Sequence, residues 1–175
     1  TPVGEYPNSC VARERVFQYF SQKDGAPGRL ARLNYAIDCR YGVLMDIALK
    51  VKNRVPIDLR TGVANVIWQG DAISHILRCL LHGTVPARPI NIGMPEPANV
   101  RGVAHRFGNL LGHEPIFQAE EQSAAWHNDN SEALERFGPP VVDLDTMIRW
   151  NADWLKRDMP LYHKPTHYDE RDGVF

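Results

Sequence analysis

The sequence predicts an α/β fold. Helical and extended patterns alternate along most of the chain. Apolar residues recur at helical spacing between short β-branched runs, and nearly every change of pattern falls on Gly, Pro or Asp. The 175 residues are enough for one real core, and 43% hydrophobic with 23% charged residues is an ordinary globular balance.

The elements follow in order. Ser9 is the expected N-cap of a helix through CVARERVFQYFSQ, where Ala12, Val16 and Phe20 recur four apart and Phe17 widens the same face. Asp24-Gly25 and Pro27-Gly28 end it. RLARLNYAI (29–37) reads as a strand and the loop leaving it. A second helix is expected over 43–53, with Leu44, Ile47, Ala48 and Val51 on one face. Pro56 and Gly62 bracket a short extended piece, and 63–68 reads as another strand. Asp71 is the expected cap of a helix over 72–81 that stops at His82-Gly83. PINIG (89–93) reads as a short buried strand, 100–111 as a helix closed by Gly112, and 115–121 as a strand. Ser131 is placed as the cap of a short helix. Asp143 or Asp145 caps a longer one through Lys156, on which Trp150 and Trp154 share a face as core or interface. The tail from Met159, with Pro160 and Pro165, reads equally as docked or loose.

Composition removes several function classes. A net charge of -1 with no basic patch gives no general grip on nucleic acid. No apolar run is long enough to span a bilayer, and 1–9 lack the basic-then-apolar order of a signal peptide. Cys10, Cys39 and Cys79 are three scattered cysteines without a CxxC pair, which fits a reducing cytoplasm better than a disulfide framework. His163 and His167 are spaced i, i+4 but lack a third ligand, so no metal site is expected. Arg54, Arg60 and Arg101 read either as cations facing an anionic substrate or as solvated surface. His105 and His113 read as helix-surface or cap residues.

Four segments carry a family resemblance. GEYPNSCVARERVF sets Tyr6, Ser9, Cys10 and Glu14 at the start of a helix. ARLNYAI sets Arg32, Asn34 and Tyr35 on the next strand. NVIWQGDAISHILRCLL steps from strand to helix at Asp71, and INIGMPEPANVRGVAHRFGNLLG gives an Asn-Ile-Gly strand, a polar turn and a helix closing at Gly112. In this order they resemble the extended short-chain dehydrogenase/reductases, the NAD-dependent epimerase/dehydratase family, over residues 4–156. Tyr6, Ser9 and Glu14 match its Tyr-x-x-x-Lys helix, with Cys10 in the place of the Lys.

The resemblance implies the C-terminal part of an NAD(P)-binding Rossmann fold plus a small α/β substrate-binding domain. Residues 1–42 would end the Rossmann domain. Residues 43–158 would form a mixed substrate-binding domain with returning Rossmann elements, and 159–175 a C-terminal tail. It implies NAD or NADP as cofactor. No glycine-rich pyrophosphate turn occurs here, so most of that site is expected upstream, in a longer protein of which this is a part or from which a naturally shortened relative descends. By resemblance, Tyr6 is the catalytic acid/base, Tyr6, Cys10 and Asn34 contact the cofactor, and Ser9, Asn34 and Tyr35 contact a carbohydrate-like hydroxy or keto substrate. A homodimer through the helix after Tyr6 would use the Val16, Phe17, Phe20 face, which reads equally as core.

Two departures bear on chemistry. A thiol at Cys10 supplies no cation to lower the Tyr6 pKa, so another positive group must tune it, Arg13 one turn on or the nicotinamide itself. No motif gives Cys10 a His or Asp partner that would make it a nucleophile. Nucleotide-sugar epimerases carry an Arg seven residues before the Asp at position 71, and Ala64 stands there, which favours a substrate smaller than a nucleotide sugar. A non-catalytic dinucleotide- or metabolite-binding relative, acting as sensor or scaffold, is the rival expectation.

Overall fold

The fold was analysed in a computed structural model, which describes residues 2, 4–121, 128–164 and 166–170. The start of the expected first unit, Pro165 and the last five residues of the expected tail lie outside the described residues.

The chain opens with helix α1 (Glu5–Asp24). Strands β1 (Arg29–Leu33) and β2 (Tyr35–Ile37) follow, interrupted at Asn34. Helix α2 (Val43–Lys52) leads into β3 (Ile57–Asp58), β4 (Val63–Ala64) and β5 (Val66–Trp68). Helix α3 (Gln69–Arg78) tightens into a 3-10 turn (Cys79–His82). Then come β6 (Arg88–Ile92), β7 (Ala98–Asn99), α4 (Val100–Leu111), β8 (Phe117–Gln118), α5 (Ser131–Phe137) and α6 (Leu144–Lys156). The pairs β1–β6, β2–β5 and β3–β8 are parallel, and β4–β7 is antiparallel. The α/β class is therefore as the alternation of patterns predicts.

Several boundaries differ for local reasons. Helix α1 starts at Gly4, whose φ of 88° is open to glycine, so Ser9 lies a turn inside and its hydroxyl donates back to Tyr6 O at 2.7 Å. Pro7 is tolerated there because first-turn N–H groups have no helical acceptor. Helix α3 begins before Asp71, whose carboxylate accepts from Val142 N–H at 2.9 Å and ties the helix to a distant loop instead of capping it. Asn130 rather than Ser131 precedes α5, whose first N–H is taken by Asp129 Oδ1. The run 63–68 is two strands broken at Asn65, and only Phe117–Gln118 of 115–121 pairs. Asp143 is the cap of α6, accepting from Thr146 N–H at 2.7 Å, and Gly112 closes α4 in the left-handed region.

Among the described residues, two apolar clusters form the interior. The larger gathers Leu44, Ile47, Ala48 and Val51 of α2 with Phe107 of α4, Met147 and Ile148 of α6, and Tyr168 from the tail. The smaller joins Ile67, Ala72, Cys79, Ile90, Ile92, Ala133 and Phe137. Strand β5 stands between them: Val66 enters the first and Ile67 the second, as alternation along a strand dictates. Burial pushes the Cys79 thiol up, in keeping with a packing role.

The tail is docked. Tyr168 is buried, Asp46 accepts from the N–H and hydroxyl of Thr166, and Lys50 pairs with Asp169 at 2.6 Å. His163 and His167 both have positive φ, so the i, i+4 spacing has no helix to act through, and His167 pairs with Glu170. No helix among the described residues is long and apolar enough to cross a membrane.

His75 on α3 is buried with its ring 5.4 Å from that of Phe137. Burial first, then Arg78, lowers its pKa from the ordinary 6.5. The unfolded chain therefore binds this proton more readily than the folded one, and folding loses stability as the pH falls below 6.5. Urea midpoints at pH 7.5 and 5.5 are expected to fall further for the wild type than for His75→Leu. Equal falls would remove His75 as a source of acid sensitivity.

Candidate functional site

The parallel pair β1–β6 sets the frame. Its register matches Arg32 with Asn91 and Leu33 with Ile92. Asn34 and Gly93 thus each stand one residue beyond the last pair, at the carboxyl end of the strands, where open parallel sheets bind ligands.

Helix α1 runs back along this pair. Arg32 on β1 makes a bidentate contact with Glu14 on α1, at 2.8 and 2.6 Å, and this contact holds the Glu14 carboxyl below its usual range. Eight residues before Glu14, at about 1.5 Å per residue, Tyr6 lies roughly 12 Å further along the helix. The chain leaves α1 at Asp24 and enters β1 at Arg29, so helix and strand are antiparallel. The first turns of α1, which carry Tyr6, Ser9 and Cys10, therefore lie on the side of the strand end that carries Asn34 and Tyr35.

At that end Tyr6 and Ser9 are exposed, and Cys10, Asn34 and Tyr35 are half-buried. Burial, then Tyr41 and Asp169, pushes the Tyr35 pKa up to about 12. Tyr35 is therefore a hydrogen-bonding phenol at neutral pH and not a proton acceptor. Arg13 lines the hollow between α1 and β1 with Glu14, Phe17 and Arg29.

A buried amide knot behind this end escaped the sequence reading. Tyr35 N–H donates to Asn65 O at 3.3 Å. The side-chain Nδ2 groups of Asn65 and Asn130 both donate to Met94 O, at 3.2 and 2.9 Å. Gly93 lies against both carboxamides, so closely that a Cβ would overlap Asn65 Oδ1. The available signal was Asn65 itself, a polar residue inside the apolar run VANVIW. Its burial needs hydrogen-bond partners.

The remaining candidates stand apart from this end or are already engaged. Ala64 is buried in the β4–β7 pair, so no guanidinium occupies its position. Arg60 is held by Asp58 at 2.5 Å, and Arg101 by Glu121 with its guanidinium over the Phe117 ring. His105 lies against Phe117 and 3.8 Å from Glu114. Trp150 packs edge-on against Trp68, and Trp154 Nε1 donates to Pro160 O, so both serve the chain's own packing.

No protein-family model matches the sequence, and no curated protein sequence does. Solved structures do match. UDP-glucuronic acid 4-epimerase from Bacillus cereus, in complex with UDP-glucuronic acid and NAD, aligns with a TM-score of 0.73 at 15% identity over 90% of this chain and 54% of its own. dTDP-glucose 4,6-dehydratase from Bacillus anthracis, in complex with NAD, gives 0.71 at 15% identity over 90% and 54%. UDP-glucose 4-epimerase from Thermus thermophilus, in complex with NAD, gives 0.67 at 20% identity over 89% and 55%. The fold is thus that of part of the Rossmann-type epimerase/dehydratase structures, and the chain spans about half their length.

Proposed function

We propose that this chain belongs to an NAD(P)-dependent epimerase, dehydratase or reductase acting on a carbohydrate-like hydroxy or keto substrate. One observation carries the proposal. The Glu14–Arg32 clamp holds α1 antiparallel to β1, so that the first turns of the helix, which carry Tyr6, Ser9 and Cys10, lie on the side of the strand end of Asn34 and Tyr35. The likeness to solved structures that hold NAD supports it at the level of fold.

Residues 4–35 fit the nicotinamide end of such a cofactor. Asn34 would offer an amide and Tyr6 a phenol, and Cys10 would present a thiol on the ribose side. The nicotinamide supplies hydride transfer when bound. Tyr6 Oη is the group that gives or takes the substrate hydroxyl proton, Asn34 and the protonated Tyr35 orient the substrate, and Ser9 flanks it. With Ala64 buried and Arg60 held by Asp58, the favoured substrate is a sugar or sugar acid without a nucleoside diphosphate. A homodimer through the Val16, Phe17, Phe20 face of α1, which is exposed, belongs to the same proposal.

Titrating NADH and NADPH into the longest natural form while following nicotinamide fluorescence tests it. Saturable binding is the expected result, and a folded protein that binds neither sinks the proposal. The rival, a non-catalytic dinucleotide- or metabolite-binding sensor or scaffold, is motivated by Cys10, which brings a thiol and no lysine cation to its position. It predicts cofactor binding without turnover on any sugar.

A further inference from the structure

The tail runs beside the stretch of chain that leaves the candidate strand end. Strand β2 carries Tyr35 and passes through a short loop into α2. The tail follows that path contact by contact. Tyr162 N–H donates to Arg40 O at 3.1 Å, and the Arg40 guanidinium stands 4.7 Å over the Tyr162 ring. Lys164 Nζ lies 5.9 Å from the centre of the Tyr41 ring. The N–H and the hydroxyl of Thr166 both donate to Asp46 Oδ2, the N–H at 3.1 Å. Lys50 Nζ pairs with Asp169 at 2.6 Å and stands 5.4 Å over the Tyr168 ring.

This grip opposes what a chain end does when nothing ties it down. His163 and His167 take left-handed φ of 51° and 56°, a conformation unfavourable to side chains with a Cβ. Asp46 gives up water: burial raises its carboxyl above the ordinary range although both Thr166 bonds and Lys50 oppose the rise. In return Tyr168 enters the larger apolar cluster, against which Tyr35 also packs. The groups that act on the Tyr35 phenol are Tyr41 from the loop after β2, and Asp169 and Tyr168 from the tail.

We infer that the tail is a strap that positions Tyr35: Asp46 and Lys50 on α2 hold Thr166 and Asp169, so that Tyr168 and Asp169 close the Tyr35 phenol off from water and keep it a hydrogen-bond donor to the substrate. A phenol donates to a hydroxyl or keto oxygen, whereas a phenolate only accepts. Asp46 and Lys50 are therefore positioning residues, acting on the site through the strap. The donor role rests on the substrate-orienting function proposed for Tyr35. The effect of the strap on the phenol does not, and it is measured without a substrate.

The double variant Lys50→Met, Thr166→Val, made in the longest natural form, removes the partner of Asp169 and one of the two bonds to Asp46, and leaves Tyr168 in place. Hydrogen–deuterium exchange at the Thr166 amide reads the strap, and ultraviolet absorbance of tyrosinate, with Tyr35→Phe as the baseline, reads the phenol. Strap release admits water to Tyr35 and removes the Asp169 charge, and both changes favour phenolate. The Thr166 amide is expected to exchange about tenfold faster or more. The phenolate fraction of Tyr35 at about pH 10.5 is expected to rise several-fold, since one pH unit is a tenfold change in the phenolate-to-phenol ratio. Circular dichroism at that pH checks that both proteins are folded. If the double variant does not fold, Asp169→Asn removes the charge alone, and a rise of about twofold is expected. An unchanged phenolate fraction in the folded variant, or an unchanged exchange rate at Thr166, overturns the inference. The function fails separately: if the phenol responds to the strap while Tyr35→Phe leaves kcat and KM unchanged on a sugar that the protein turns over, the strap stands and Tyr35 leaves the substrate site.

Discussion

Gly93→Ala is expected to destabilise the protein by about 3 kcal/mol. A Cβ on Gly93 would overlap Asn65 Oδ1 and come within 2.7 Å of Asn130 Nδ2. Neither carboxamide has room to retreat, because both are buried and both donate to the same acceptor, Met94 O. To admit a methyl group, at least one of these bonds must break. That leaves a buried amide unsatisfied in addition to the Asn65 and Asn130 oxygens that already lack partners among the described residues. The urea midpoint of the variant measures this directly. The backbone conformation alone predicts nothing comparable, since Gly93 has no positive φ, so the cost is one of contact. Because Asn65 O also holds Tyr35 N–H, the displacement should propagate to the strand end that carries Asn34. A midpoint within experimental error of the wild type would mean that the knot is soft, and the rigid placement of Asn34 and Tyr35 would lose its support.

What the sequence could and could not show divides along the reach of each interaction. Helix α2 and helix α4 were legible almost to the residue. Their apolar stripes, Leu44/Ile47/Ala48/Val51 and the face around Phe107, and the stop at Gly112 are encoded within a few neighbours. The α1 stripe of Val16, Phe17 and Phe20 was equally visible, yet periodicity states only that a face is apolar and not what covers it. Here the chain itself leaves it exposed. The start of α1 was misplaced because Ser9 resembles a cap locally, while Gly4 sets the first turn. Asp71 was misassigned for the opposite reason. Its partner, Val142 N–H, lies 71 residues away and no local pattern records it. Of the candidate site, the residue types on α1 and β1 were readable, and so was the Glu14 and Arg32 pair as two separate positions. Their contact, the Asn65/Asn130/Gly93 knot and the clasp of Asp46 on Thr166 all join segments far apart in sequence. A single chain read in order does not reveal such contacts.

Under the proposed function, Tyr6→Phe is expected to lower turnover by about 10²- to 10⁴-fold in the longest natural form of the protein, with stability changed by no more than about 0.5 kcal/mol. The two expectations come from the same placement. Tyr6 is exposed in the first turn of α1, so removing its hydroxyl opens no cavity and leaves the helix start set by Gly4. If that hydroxyl carries the substrate proton, neither Ser9 nor Tyr35 replaces it. Ser9 Oγ donates to Tyr6 O, and the Tyr35 phenol is raised to about 12 and does not accept a proton near neutrality. Cofactor affinity should change far less than turnover, because a proton-transfer group acts chiefly in the transition state. The companion variant, Cys10→Lys, introduces a cation one helical turn from Tyr6, which favours phenolate. The pH at which turnover reaches half its maximum should therefore move downward. Unchanged turnover in Tyr6→Phe would remove Tyr6 from the chemistry. Loss of turnover in Tyr6→Phe with no movement of the pH profile in Cys10→Lys would instead place the tuning charge elsewhere, with Arg13, which lines the adjoining hollow, as the next residue to replace.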